Sequence, residues 1–259
     1  MSSLVCNNVS KTWSGAKGLS VEALREVSLQ VSSGEFVAIL GPSGCGKSTF
    51  LELCAGLEPV SGGELRIDEE QVAGHNPKAV MVFQEHSLFP WLNVEQNVGF
   101  GLKMRGAGVD ERWRRGREVL ERVKLVKFGK HYPHQLSGGM KQRVAIARAL
   151  VGNPEFILMD EPFAALDFQT RVLMQQFLLE VWSGFKSTIL FVTHHIDEAV
   201  LLADRVVVMS AAPGRVLEEV RIELPRPRSM TDAGFNAYRV RLTAHMEREV
   251  MRANAAEVQ

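Results

Sequence analysis

A chain of 259 residues can bury one large α/β core, and an apolar fraction of 46% is ordinary for a globular protein and excludes wholesale disorder. Lys plus Arg and Asp plus Glu both number 30, so the positive excess that marks a nucleic-acid binder is missing and no nucleic-acid partner is expected. Three irregularly spaced cysteines, Cys6, Cys45 and Cys54, do not describe a disulfide framework and fit a reducing compartment.

Met1 to Ser10 lacks a basic stretch followed by an apolar one, so no secretory signal is read there. No apolar run reaches the roughly 18 to 20 residues that cross a bilayer. The expectation is a protein soluble by itself, with any membrane role carried by a partner.

The first thirty residues alternate apolar and polar in places (Val27, Leu29, Val31), as an antiparallel β part does. Five short apolar runs then read as buried parallel strands: Phe36 to Leu40, Val80 to Phe83, Phe156 to Met159, Ile189 to Val192 and Val206 to Met209. Helical patterns between them argue for an α/β sheet with crossover helices. From about His86 to Gln135 the chain is poor in β-branched runs and rich in Arg, Lys and Gly. It reads as a helical insertion, with an amphipathic helix over Arg112 to Lys124 carrying Val119, Leu120 and Val123 on one side. The basic cluster Arg112, Arg114, Arg115 and Arg117 reads as a solvated helix face rather than a lipid or nucleic-acid contact. Leu224 to Arg228 (Leu-Pro-Arg-Pro-Arg) marks a linker. After it, Phe235, Tyr238, Leu242, Met246 and Val250 recur at helical spacing, so a final amphipathic helix is expected to pack on its own domain.

The first parallel strand runs straight into Gly41-Pro42-Ser43-Gly44-Cys45-Gly46-Lys47-Ser48-Thr49, which fits G-x-x-x-x-G-K-[ST] without a gap. Gly41, Gly44 and Gly46 let backbone N–H groups converge on a phosphate. The helix expected from Lys47 adds its unpaired N–H donors and dipole. Lys47 supplies a point charge to the β and γ phosphates, and the Ser48 hydroxyl is a Mg²⁺ ligand candidate. Cys45, beside that helix start and Lys47, reads either as a thiol of lowered pKa that reacts with alkylating agents or as a small filler of the loop.

Phe156 to Glu161 is an apolar strand ending in two carboxylates. Asp160 suits the surroundings of Mg²⁺, and Glu161 is a candidate base for an attacking water. Leu136-Ser137-Gly138-Gly139-Met140 precedes a helix over Lys141 to Val151, with Ser137 as its N-cap. The chain therefore carries two helix N-termini suited to anions.

These residues resemble the ATP-binding subunit of ABC transporters. Leu136 to Arg143 (LSGGMKQR) looks like the ABC signature, which other P-loop NTPases such as GTPases and kinases lack. Gln84 looks like the Q-loop glutamine, Ala165-Leu166-Asp167 resembles the D-loop, His194 looks like the switch histidine, and Trp13 falls where the family places an aromatic that stacks on adenine. Trp13 stands in place of the more usual tyrosine, and His195 stands where many members have Asp.

The resemblance implies a RecA-like P-loop NTPase core with a mixed sheet, an antiparallel N-terminal β part and an inserted helical subdomain. In this reading the ATP-binding domain covers 1–225, with the helical subdomain at about 86–147, and 226–259 forms a linker and amphipathic helix. It implies ATP and Mg²⁺, with Gln84 joining Ser48 and Asp160 at the metal and Glu161, His194 and Lys47 as the catalytic set. Ser137, Gly138, Gly139 and Asp167 are implied at the nucleotide of a second copy in a head-to-tail homodimer.

Two membrane permease subunits are implied as partners at the groove near Gln84, a solute-binding protein indirectly, and a location on the cytoplasmic face of the plasma membrane. Phe89 to Val94, Ala212 to Arg215 and Leu224 to Arg228 further resemble the nitrate, sulfonate and taurine importer branch. The other readings are an ABC ATPase of another importer branch and a soluble ABC ATPase not coupled to transport.

Overall fold

A computed structural model describes residues 3–15, 19–185 and 187–257. They cluster in two compact units, Met1–Ala79 with Thr188–Gln259, and Val80–Ser187.

The first unit holds two sheets. β1 (Leu4–Ser14) pairs antiparallel with β2 (Ser20–Val31) and with β4 (Gly62–Ile67), and β5 (Glu70–Gln71) closes the order β2-β1-β4-β5. The alternation read at Val27, Leu29 and Val31 is the buried face of β2. The second sheet is mixed. β3 (Phe36–Leu40) runs parallel to β8 (Thr188–Thr193) and β9 (Arg205–Met209), and β10 (Val216–Arg221) returns antiparallel to β9. β3, β8 and β9 are buried along their whole length, which is why they read as unbroken apolar runs. Phe36 and Phe191 are both fully buried and meet at a ring separation of 5.9 Å. Each such side chain stabilises the fold by about 1.5–3 kcal/mol.

α1 (Lys47–Ala55) follows β3 through the glycine-rich loop, α6 (Ile196–Leu202) follows β8, and α7 (Ala233–Glu257) packs on α6. Phe235, Leu242 and Met246 of the expected α7 stripe are buried. Val250 is not; it is 42% exposed, and Glu249 at 3% takes the inward position. The helix phase decides this: from Leu242, position 249 completes two turns and faces the same way, whereas 250 is rotated about 100° further.

The stretch expected to be a linker, Leu224 to Arg228, is instead fastened to α6. Arg228 Nη1 donates to Val200 O and Ala203 O, each at 2.6 Å, and Arg226 pairs with Asp204 and donates to Leu202 O. These arginines satisfy carbonyls at a helix end that has none of its own donors to meet them.

The second unit contains β6 (Ala79–Val82), α2 (Val94–Met104), α3 (Val109–Arg122), α4 (Gly138–Leu150), β7 (Phe156–Asp160) and α5 (Phe168–Phe185), with β6 beside β7. Asn93 and Gln96 form a reciprocal capping box at the start of α2. Fully buried Asn97 accepts from Phe89 N and donates to Phe89 O, Leu92 O and Asn93 O, so it shapes the Phe89 to Asn93 turn.

Three of the arginines of α3 pair within the helix. Arg114 pairs with Glu118, Arg115 with Glu111 and Arg117 with Glu121, all four residues apart. The solvated-face reading holds for these three but not for Arg112, which is half-buried with its Nε enclosed, and α3 starts three residues earlier and ends two earlier than expected.

Candidate functional site

In the first unit, β3 and β8 are in register with Leu40 opposite Thr193. The residues that follow, Gly41 and His194, therefore leave the same end of two neighbouring parallel strands, where ligands of open α/β sheets bind. Gly44 and Gly46 have φ of 77° and 93°, the left-handed region that the loop needs. A Cβ at Gly46 would also lie 2.6 Å from Ala23 O, so no other residue fits there.

Gly46 caps α1, no side chain caps it, and no acidic residue occupies the first turn. The helix start thus keeps its N–H donors and its positive end for an anion. Lys47 is buried at 5% exposure, and its Nζ donates to Gly41 O at 2.9 Å and Pro42 O at 2.8 Å. The ammonium is held by the loop at the place where phosphate charge would be met. Ser43 and Ser48 are exposed, Pro42 is buried and Thr49 half-buried.

Trp13, 37% exposed on β1, has Lys11 Nζ 4.3 Å from its ring centre. Lys11 is itself fixed by Glu58 Oε2 and Pro59 O, each at 2.9 Å. This lysine was not apparent in the sequence. The i, i+2 spacing on a strand, which puts both residues on one face, was the only available signal.

His194 is exposed, and its ring centre lies 4.1 Å from that of His195. Thr193 accepts from His195 N at 3.0 Å and donates to buried Glu198 at 2.7 Å, so the turn carrying His194 is pinned from behind.

The reactive-thiol expectation for Cys45 is overturned. Its side chain is fully buried, and desolvation pushes the thiol pKa up, outweighing the favourable charge of Lys47. Cys45 packs inward under Gly41, so the residue contributes its backbone, not its sulfur, to the loop's outer surface.

In the second unit, Ser137 caps α4 as expected, accepting from Met140 N at 3.3 Å, and α4 begins at Gly138 rather than Lys141. Ser137 and Gly138 are exposed and Gly139 half-buried. Cβ atoms at Gly138 and Gly139 would lie 3.4 Å and 2.9 Å from Leu166 and Thr170, so the segment bearing Asp167 abuts the signature.

Asp167 has a structural task too. Its Oδ1 accepts from Thr170 N at 3.0 Å, and the Thr170 hydroxyl and amide hold its carboxyl below the usual carboxylate range.

Asp160 ends β7 and Glu161 follows at φ 42°, a strained conformation for a non-glycine residue of the kind concentrated at active sites. Gln84 is exposed just beyond β6, which ends at Val82, one residue short of the expected Phe83. Two residues on, His86 Nε2 lies 3.1 Å from Gly138 O, and Arg148 donates to Ser87 O at 2.7 Å. Neither tie was visible in the sequence, because each bridges more than fifty residues.

The chain is similar to known proteins. The family described as ABC transporter matches residues 24–164. An uncharacterized ABC transporter ATP-binding protein of Methanocaldococcus jannaschii is 47% identical over 91% of this chain and 88% of its own length. The chain belongs to the ABC transporter ATP-binding family. It is an ATP-hydrolysing subunit of that family.

Among ABC relatives, an aliphatic sulfonates import ATP-binding protein, SsuB, of Bacillus cereus is 44% identical over 93% of this chain and 94% of its own. A nitrate import ATP-binding protein, NrtD, of Synechocystis sp. is 46% identical over 86% and 83%. A dimeric ATP-binding cassette solved in a post-hydrolysis state with ADP and Pi superposes with a TM-score of 0.74 at 36% identity, covering 86% of this chain and all of that one. Among the described residues, no helix is long and apolar enough to cross a membrane.

Proposed function

We propose that this chain energises import of a small solute such as a sulfonate, taurine or nitrate, by ATP-driven closure of a homodimer and hydrolysis. The observation that carries the dimer is the start of α4: a Ser137-capped helix N-terminus, with Ser137 and Gly138 exposed, on a chain that has one phosphate loop. Ser137, Gly138 and Gly139 of one copy meet the γ-phosphate held by Lys47 of the other, with Asp167 beside them. Trp13 stacks on adenine from the face opposite Lys11.

No group of three or more His, Cys, Asp or Glu side chains among the described residues forms a metal cage. That fits Mg²⁺, which is commonly held by a few protein oxygens plus phosphate oxygens. Ser48, Asp160 and Gln84 would hold it, and bound there it neutralises developing phosphate charge. Glu161 takes the proton of a water whose oxygen bonds to the γ-phosphorus as the bond to the β–γ bridging oxygen breaks. His194 positions the γ-phosphate side of that reaction.

A groove of about 420 Å³ in the second unit, lined by Phe83, Ser87, Phe89, Phe100, Arg105 and Arg148, lies beside Gln84 and suits a short helix of a membrane permease. The chain then works at the cytoplasmic face of the membrane, with a solute-binding protein on the other side. Lys47→Ala should abolish ATPase activity, and full turnover would end the site assignment. Glu161→Gln should bind ATP, lose about 10²- to 10⁴-fold in rate and elute as a dimer with ATP. Reconstitution with a permease and binding protein, followed by labelled sulfonate and nitrate uptake, tests the solute.

A further inference from the structure

The C-terminal helix reaches the phosphate loop through one short turn. After β9, Ser210 N donates to Arg215 O at 2.9 Å, while Ser210 Oγ accepts from Arg215 N and donates to Pro213 O, both at 3.0 Å. One side of this turn lies against the phosphate loop. A Cβ on Gly214 would sit 2.1 Å from Cys45 O, and a Cβ on Gly41 would sit 3.2 Å from Met209 Cβ. Gly214 is also stitched to β2, donating to Ala23 O at 2.9 Å and accepting from Arg25 N at 3.0 Å.

The other side of the turn is held by α7. Ala211 N donates to Glu249 Oε2 at 3.0 Å, and Glu249 Oε1 accepts from Arg252 at 2.7 Å. Glu249 is 3% exposed on a helix face otherwise packed by Phe235, Leu242 and Met246. A carboxylate at such a position costs stability unless its oxygens are met, and an apolar residue would pack there without that cost. The oxygens of Glu249 are met by Arg252 and by one backbone N–H of the turn behind the phosphate loop.

We propose that Glu249 is a positioning residue for nucleotide binding. By holding Ala211 it fixes the turn 210–214, which sets where the Cys45 carbonyl can lie. The carbonyl sets the direction of the N–H groups that converge on phosphate. The C-terminal helix is thus a handle on nucleotide affinity, remote from every reacting atom. This rests on the reading of residues 41–49 as the phosphate site.

The test uses the full chain and a fluorescent ADP analogue, with MgATP turnover and thermal midpoints measured alongside. Glu249→Ala should raise the Kd for the nucleotide and the KM for ATP together, by about tenfold, and keep kcat at saturating ATP within about twofold. Glu249→Gln retains an acceptor oxygen for Ala211 N and should recover most of the affinity. Arg252→Ala keeps the Ala211 contact and should bind nucleotide like wild type.

A lower thermal midpoint for Glu249→Ala with unchanged Kd would overturn the proposal and leave α7 a brace. Should that variant not fold, Glu249→Asp decides instead: a raised Kd supports the proposal and an unchanged one overturns it. Failure of the wild-type chain to bind nucleotide would overturn the phosphate-site reading itself, a result distinct from these.

Discussion

Lys47 and Cys45 sit two residues apart and show how burial divides their fates. The Lys47 side chain donates to two carbonyl oxygens of its own loop. The thiol of Cys45 is fully enclosed, and desolvation favours its neutral form over the help of the lysine. Because reactivity follows the thiolate, a raised pKa moves alkylation to higher pH. Native protein at neutral pH should therefore resist maleimide at Cys45, Cys6 and Cys54, all of them free and buried, and should label at all three in guanidinium. Mass spectrometry reads the difference, and rapid native labelling of Cys45 with loss of activity would contradict it. Gly214 carries a second prediction of this scale. Gly214→Ala places a Cβ 2.1 Å from Cys45 O, a backbone clash that no rotamer relieves. The phosphate loop must shift, so the Kd for ADP should rise by about tenfold or more, at a stability cost of about 1–3 kcal/mol.

Two elements that look peripheral in the sequence prove to be fastened. Arg228 binds the carbonyls of Val200, Ala203, Ile222 and Leu224, and burial lowers its pKa to about 10. Arg228→Met keeps the stem and removes the donors, so urea unfolding should show a loss of about 1–3 kcal/mol. The segment after Gln84 is tied to both ends of α4, by His86 at Gly138 and by Arg148 at Ser87. Burial holds the His86 imidazole below its usual value of 6.5. The unfolded chain then binds that proton more tightly than the folded one. The contribution of His86 is complete above about pH 6.5 and is lost as pH falls through the lower folded value. Wild type should thus lose more stability than His86→Gln between pH 7.5 and pH 5, read as the shift in urea midpoint.

At the scale of the molecule, the formal charge is zero, and three of the arginines of α3 are paired with glutamates of the same helix. In the proposed homodimer, assembly is instead directed by the ends of two helices. Ser137→Arg introduces bulk and charge at the exposed start of α4 and changes no residue of the loop at Gly41 to Thr49. Nucleotide affinity of the single chain should stay within about twofold, while the ATP-driven dimer and turnover disappear. Sizing chromatography of Ser137→Arg combined with Glu161→Gln checks this, and a persisting dimer would refute the role given to α4.

Local physics made much of this protein legible from its residues alone. A strand buried on both faces must be apolar throughout, so β3, β7, β8 and β9 were visible as runs. A loop needing left-handed φ must use glycine, and a helix start lacking an intrahelical acceptor favours Ser, so Gly44, Gly46 and Ser137 announced their places. What depended on distance in the chain stayed hidden. The burial that quenches Cys45, the Glu58 and Pro59 contacts that fix Lys11 against Trp13, the arginines that turn an apparent linker into a strap, and the carboxylate of Glu249 behind the phosphate loop all join residues far apart in sequence or depend on how they are enclosed. A sequence states each group's intrinsic chemistry, whereas solvation and long-range partners exist only once the chain has folded, and these decided the rest.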